Sequence, residues 1–392
     1  MTTLPRVILK KGREKSMLRG HPWVFSGAVA KVEGEVSPGD VGEVYSSDGQ
    51  FLGLGHLNPR SQIIVRVLTQ KKEEIGENFF AKRISRAAHF RGRLSGRTNA
   101  YRIINGEGDY LPGLIVDRYG EALVVQCSTA GMERFKGILT NLLTKEFQPA
   151  SIYERSDVAL RKEEGLAESS GLLYGKEVPE FIEIEEYSCR FRVNVRKGQK
   201  TGFYLDQREN RFFLRGLSES KKILDCFCYT GGFSIHAGLG GAGEVTLVDS
   251  SEEALAIAEE HITLNQLDKI PHQLIQGDVF EILRGLQPEY DIVILDPPPF
   301  AKKKGHLPRA SRGYKDLNLS AFRLLNEEGF LLTFSCSHHM SWDLFQKIVF
   351  SAALDSGRKV QLLGRLGHPW DHPTNICHPE GEYLRGLICK VL

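Results

Sequence analysis

The chain has 392 residues, with 51 Lys+Arg against 49 Asp+Glu, a formal net charge of +2 and 41% hydrophobic residues. That length suggests two or three domains, each able to bury a core. The charge balance excludes a histone-like polycation and an acidic tail protein, and taken alone argues mildly against a nucleic-acid partner.

No run approaches the roughly 18 apolar residues of a membrane span. The opening MTTLPRVILKKGREK lacks the apolar core of a secretory signal. Seven irregularly spaced cysteines make no disulfide framework, so a cytoplasmic protein is expected. Residues 1–73 read as short strands: Val7-Ile8-Leu9, Trp23-Val24-Phe25 and Ile63-Ile64-Val65 are separated by Gly, Pro and Asp, which suggests a small β-barrel. Asp48-Gly49 predicts a two-residue hairpin between Val44-Tyr45 and Phe51-Leu52.

Residues 74–190 read as a separate middle α/β domain, strand-strand-helix-strand-strand. It opens on a polar helix with Phe79, Phe80, Ile84 and Ala87-Ala88 at helical spacing. A hairpin turning at Tyr119-Gly120, a helix over 131–145, a strand from Ser151 to Glu154 and a hairpin around 182–195 follow. From Ala81 to Arg102 the chain carries Lys82, Arg83, Arg86, Arg91, Arg93, Arg97 and Arg102 and no acid.

Residues 191–392 alternate strand and helix in the doubly wound manner, with helical spacing over 232–239, 252–264, 315–326 and 342–354. Four strands lead to Asp225, Asp249, Asp278 and Asp296, and a fifth to Ser335-Cys336-Ser337. Ligands of open α/β sheets sit at the carboxyl ends of the strands, so these positions should converge on one crevice.

Asp225 is followed by Cys226-Phe227-Cys228-Tyr229-Thr230-Gly231-Gly232, which is not the three-glycine loop that presses a helix onto a pyrophosphate. An acidic side chain beside the loop suits a ligand with an ammonium group. Asp249 lies 18 residues after Gly231, near the spacing of a ribose-binding carboxylate, and Asp278 is placed for an adenine amine. S-adenosylmethionine has an amino acid, a ribose, an adenine and no phosphate, and it fits. The expected cofactor-binding set is Gln207, Arg208, Asp225, Phe227, Tyr229, Thr230, Gly231, Asp249, Asp278 and Asp296, with Arg208 as a bidentate partner for the methionine carboxylate. The bland alternatives are strand-end aspartates that only cap helices, and an Arg208 that is solvated at a helix start.

Asp296-Pro297-Pro298-Pro299-Phe300 forms a rigid extended loop. It resembles the Asp-Pro-Pro-aromatic loop of amino-methylating enzymes, but Pro299 displaces the aromatic by one place and weakens that reading. Cys336, at the next strand end, favours carbon methylation. A thiolate adding to C6 of a pyrimidine makes C5 nucleophilic, and Asp296 is the candidate acid for charge building at N3. The alternative is a buried structural cysteine. Cys226 and Cys228 read as packing residues.

The chain resembles the large-subunit ribosomal RNA methyltransferase I family, 5-methylcytosine enzymes with an N-terminal PUA domain. The resemblance runs along nearly the whole length. Its carriers are Lys11 to Ser16, His21 to Val29, Ser151 to Asp157, Lys200 to Arg208, Cys228 to Phe233, Arg312 to Asp316 and Leu332 to Ser337. It implies a PUA-like barrel, a strand-rich middle domain and a class I (Rossmann-like) methyltransferase sheet. It also implies methylation of C5 of one cytosine in 23S rRNA with Cys336 as nucleophile, and a homodimer. Uridine-C5 methylation and a non-catalytic RNA-binding assembly module are the competing readings. Pro299 and His338-His339 depart from relatives; either histidine is a candidate base for the C5 proton or simply opens a helix.

Lys302, Lys303, Lys304, Arg309, Arg312 and Lys315 follow the Asp296 loop and would grip RNA phosphates, as would Arg91 and Arg93 in the earlier run. Tyr314 is a candidate base-stacking ring, while Trp23 and Phe25 fit barrel core better. His368, His372, Cys377 and His378 invite a metal reading, but Pro369, Pro373 and Pro379 break the presenting helix; a mobile substrate-side loop and no metal are expected. The near-zero net charge thus hides two acid-free basic stretches.

Overall fold

The computed structural model describes residues 4–301 and 303–392, and every count below is of these. The chain divides into two compact units. The first comprises the chain up to Ile184 with Val193–Leu205 and Trp370–Gly381; the second comprises Glu185–Arg192, Asp206–Pro369 and Glu382–Leu392.

The first unit opens with strands β1 (Arg6–Leu9), β2 (Trp23–Phe25), β3 (Val29–Glu33), β4 (Val41–Tyr45), β5 (Phe51–Leu57) and β6 (Ile63–Thr69). Their sheet order is β2-β6-β5-β4-β1-β3. Val24 and Val29, from the two edge strands, share one apolar cluster with Val7, Leu9, Val44 and Val65, so the sheet must curl around its own core. The β4–β5 hairpin forms where Asp48-Gly49 predicts it, with a different turn. Gly49 donates to the Ser46 carbonyl at 3.1 Å and has φ +86, and Ser46 pairs with Gln50. Asp48 is not left-handed, so this is a type I turn closed by a glycine bulge. Phe25 is 47% exposed, so it is not barrel core.

Strands β7 (Ala100–Asn105), β8 (Leu114–Tyr119), β9 (Ala122–Cys127), β10 (Ser151–Ser156) and β11 (Ser169–Gly175) form a second sheet in the order β11-β10-β9-β8-β7. β9 and β10 are parallel and are joined by the crossover helix Ala130–Phe147, whose first turn Thr129 caps. The helix Glu77–Arg91 sends Phe79, Phe80, Ile84 and Ala87 into the same core as Leu139, Leu142 and Leu143. The expected hairpin appears as β12 (Ile182–Glu186) and β13 (Cys189–Val193).

The second unit holds β14 (Lys222–Cys226), β15 (Glu244–Asp249), β16 (His272–Gln276), β17 (Tyr290–Leu295), β18 (Leu325–Ser335), β19 (Val360–Leu366) and β20 (Arg385–Val391). The order is β16-β15-β14-β17-β18-β20-β19, with β20 antiparallel to both of its neighbours. Ile223, Leu224, Leu247, Val248 and Ile292 to Leu295 are buried, as strands covered on both faces require. Strand order reverses at β14, which pairs with β15 on one side and β17 on the other. The reversal at which a ligand crevice is expected therefore lies at the strand ends that carry Asp225 and Asp296.

Two features of residues 191–392 differ from the sequence reading. The helix expected over 315–326 starts much earlier and spans Leu307–Leu324, with Pro308 in its first turn where a missing N–H costs nothing. The loop around 370–378 belongs to the first unit and is not free at its base: Asp371, His372, Asn375 and His378 are all buried.

Candidate active site

Asp225 ends β14 with no exposed surface. One carboxylate oxygen accepts hydrogen bonds from Ser234 N at 3.2 Å and Ser234 Oγ at 2.7 Å; the other is buried without a partner. Burial, with Asp296 and Asp249 adding repulsion, lifts its carboxyl to about 7. Three carboxylates therefore crowd one strand-end region, as the convergence of strand ends requires.

The loop after Asp225 is tightly wound. Phe227, Tyr229 and Gly231 all have positive φ, +61, +50 and +75. Non-glycine residues there cost roughly 1–2 kcal/mol each, and the surroundings hold them: Asp249 accepts Tyr229 N at 2.9 Å and Ser251 N at 2.9 Å. Glycine is favoured at 231 by its positive φ and by space, since a Cβ would lie 3.1 Å from Ala258 and 3.2 Å from Leu247. Thr230 is buried and its carbonyl meets His261 Nδ1 at 2.8 Å. Asp278 is exposed and accepts Phe280 N at 2.7 Å, so this one of the four aspartates does cap a helix, Val279–Gly285.

Arg208 opens the helix Arg208–Arg215 and has no exposed surface, which removes the solvated alternative. Gln207 Oε1 accepts Asn210 Nδ2 at 2.6 Å while its own Nε2 is buried without a partner. Sequence reasoning missed what fixes this helix. Arg211 grips Glu186 through two bonds of 2.7 Å, and His236 Nε2 lies 3.0 Å from the same carboxylate. Burial would raise the Glu186 carboxyl, yet Arg211 and His236 bring it down to about 2. His236 belongs to the helix Gly232–Leu239 that continues the cofactor loop. One buried carboxylate thus ties two helix segments that carry expected cofactor residues.

Cys336 follows β18, half-buried, and its thiol donates to the Pro297 carbonyl at 3.6 Å. That contact brings the thiol beside the Asp296 loop. The flanking serines are pinned. Ser335 Oγ donates to Tyr314 OH at 3.0 Å, Tyr314 OH lies 3.2 Å from Ser337 Oγ, and Ala301 N donates to Ser337 Oγ at 3.3 Å. Phe300, ending the proline loop, packs on Tyr314 with ring centroids 4.8 Å apart. Tyr314 is wholly buried and cannot stack on a base; burial pushes its hydroxyl up to about 12. The hydroxyl residues on both sides of Cys336 were the available sequence signal for this network. His338 and His339 are exposed beyond it, with His338 5.5 Å from the Tyr383 ring.

Lys303, Lys304, Arg309 and Arg312 are exposed, while Lys315 pairs with Asp355 at 2.6 Å; Lys302 lies outside the described residues. Arg91 is a correction. It is 2% exposed, with its fork on Asp109 at 2.6 and 2.7 Å, so no phosphate can reach it. Arg93 is exposed. Among the described residues no group of three or more His, Cys, Asp or Glu could hold a metal, and no helix is long and apolar enough to cross a membrane.

The residues present fit S-adenosylmethionine on their own atoms: Asp225, directly before the glycine-bearing loop, has an orphaned buried carboxylate oxygen, and Gln207, directly before Arg208, has an orphaned buried amide N–H. A family model for PUA-like domains matches residues 7–70, and one for S-adenosylmethionine-dependent methyltransferases matches residues 134–354. "Ribosomal RNA large subunit methyltransferase I" of Salmonella arizonae is 44% identical over 99% of this chain and 98% of its own length. The protein of that name from Escherichia coli O139:H28 is 44% identical over 99% of both. A solved structure from Streptococcus mutans, provisionally assigned as a SAM-dependent methyltransferase, covers 98% of this chain and 100% of its own, at 26% identity and TM-score 0.84. Another methyltransferase structure, complexed with SAH, covers the same shares at 26% identity and TM-score 0.86. The cofactor is S-adenosylmethionine. With a model spanning more than half of the chain and relatives matching nearly all of it, the chain belongs to the ribosomal RNA large subunit methyltransferase I family of S-adenosylmethionine-dependent methyltransferases.

Proposed function

We propose that this enzyme methylates C5 of a cytosine in large-subunit ribosomal RNA through a covalent Cys336 adduct. The observation that carries the reading is the Cys336 thiol seated 3.6 Å from the Pro297 carbonyl, next to Asp296. The thiolate forms a bond to C6, and the ring electrons move to C5 while Asp296 supplies a proton at N3. C5 takes the methyl group from the sulfonium. A base removes the C5 proton, the sulfur–C6 bond breaks with its electron pair returning to the thiolate, and N3 gives its proton back to Asp296, which restores the ring. Asp225 holds the cofactor ammonium and Arg208 its carboxylate; Asp249 takes the ribose, Asp278 the adenine amine, and Gln207, Phe227, Tyr229, Thr230 and Gly231 complete the pocket. Lys302 to Lys304, Arg309, Arg312, Lys315 and Arg93 serve the RNA backbone.

The same reading includes three modules bounded near residues 73 and 190, a homodimer and cytoplasmic action. Sedimentation equilibrium tests the dimer.

The decisive assay incubates tritiated S-adenosylmethionine, the protein and undermodified ribosomal RNA, then identifies the labelled nucleoside. 5-Methylcytidine is expected. 5-Methyluridine would sink the reading, and no transfer would favour a binding module. Cys336→Ala should lower transfer by at least about a thousandfold while cofactor affinity survives.

A further inference from the structure

We propose that Tyr110 and Trp370, with the arginines beside them, form a stacking platform for unpaired bases of the RNA. The proposal rests on the reading of RNA as substrate. It concerns a surface of the first unit outside residues 7–70, the span matched as PUA-like.

The run from Ala81 to Arg102 divides cleanly. Arg102 pairs with Asp117, Arg91 with Asp109, and Arg83 binds the carbonyls of Leu68 and Tyr110; these three turn inward. Lys82, Arg86, Arg93 and Arg97 remain exposed. Two of the four lie against exposed rings. The Arg86 guanidinium carbon is 5.2 Å from the Tyr110 ring centroid, and that of Arg93 is 6.0 Å from the Trp370 ring. Tyr110 is 48% exposed and Trp370 65%. A large aromatic gains nothing from facing water, and two of them backed by cations match what unpaired nucleotides need: a ring for the base and a charge for the phosphate.

The two rings are held by the residue that fails as a phosphate ligand. Arg91 grips Asp109, one residue before Tyr110, and also donates to the Asp371 carbonyl at 2.9 Å, one residue after Trp370. The Asp371 carboxylate accepts Arg102 N at 2.9 Å, and Asn105 Nδ2 donates to the Pro373 carbonyl at 3.0 Å. Tyr110 itself sits at φ +61, a region that bulky residues rarely adopt, with its carbonyl bound by Arg83. Rings fixed in this way lose little freedom on binding.

The test measures binding of the full-length protein to a fluorescein-labelled single-stranded RNA and to the corresponding duplex, by anisotropy. Tyr110→Ala with Trp370→Ala should weaken single-strand binding by tenfold or more, as the loss of base–aromatic stacking implies. Duplex binding and cofactor affinity should hold, and Trp370→Phe should retain most of the affinity. Arg86→Gln with Arg93→Gln should lower the slope of log affinity against log salt by about 1.4, whereas the aromatic pair leaves the slope alone. Trp370→Ala alone, at an exposed position, guards against a folding defect in the double variant. Unchanged single-strand affinity, or equal loss on strand and duplex, overturns the platform. If the variants lose RNA but the wild type makes no 5-methylcytidine, the platform stands and the proposed reaction falls.

Discussion

Asp225 gains most from being buried where it is. Its carboxyl is lifted from 3.8 to about 7 by desolvation, reinforced by Asp296 and Asp249. Below about pH 4 folded and unfolded chains both hold the proton. As pH rises toward 7 the unfolded chain releases it and the folded chain does not, so ligand-free stability falls through that window, by at most about 4 kcal/mol. In the proposed binding mode a cofactor ammonium beside Asp225 would reverse the preference, because it favours the ionised carboxylate. Cofactor affinity should therefore rise by up to about tenfold per pH unit below 7 and level off above. Calorimetric titration from about pH 5.5 to about pH 8 measures this; a flat wild-type profile refutes it. Asp225→Asn should bind more weakly at about pH 8, show no slope, and melt higher without ligand.

Among the elements, the helix Leu307–Leu324 does two jobs. Its exposed Arg309 and Arg312 face solvent, while Tyr314 joins Ser335 and Ser337 on both sides of Cys336. Removing that one hydroxyl leaves two buried serines each short of a partner, a loss of about 1–2 kcal/mol. Tyr314→Phe should lower kcat about tenfold, with cofactor Kd intact, because the backbone of the proposed nucleophile, Cys336, is loosened. Lost stability with unchanged kcat would make the contact structural only. This helix was half legible: Pro308 and the basic cluster disguise its first two turns, and a ring's burial is set by Phe300 and Phe345, distant in sequence. The parallel strands were legible because continuous apolar runs end in aspartates. β19 and β20 were not; β19 alternates weakly at a sheet edge, and its pairing partner lies beyond a long loop.

Across the whole molecule, the total charge says little because charge is sorted by direction. Arg91 and Arg93 stand two positions apart, yet one is locked to Asp109 and the other meets water. The acids that draw Arg91 and Arg102 inward, Asp109 and Asp117, lie outside the acid-free run, so no local reading could sort its members. The seven thiols are sorted in a similar way. Cys127, Cys189 and Cys389 are buried and pushed up to about 12, and Cys226 and Cys228 well above 9 by desolvation. Cys336 and Cys377 alone are half-buried. An alkylating reagent at neutral pH should thus add at most two labels to the native chain, read by intact mass, against seven after denaturation. Loss of activity should follow the Cys336 label; more than two native labels would show that the five buried sulfurs are not shielded. A protein arranged in this way can keep the Cys336 sulfur within reach for covalent chemistry while its five buried thiols neither compete for electrophiles nor invite oxidation.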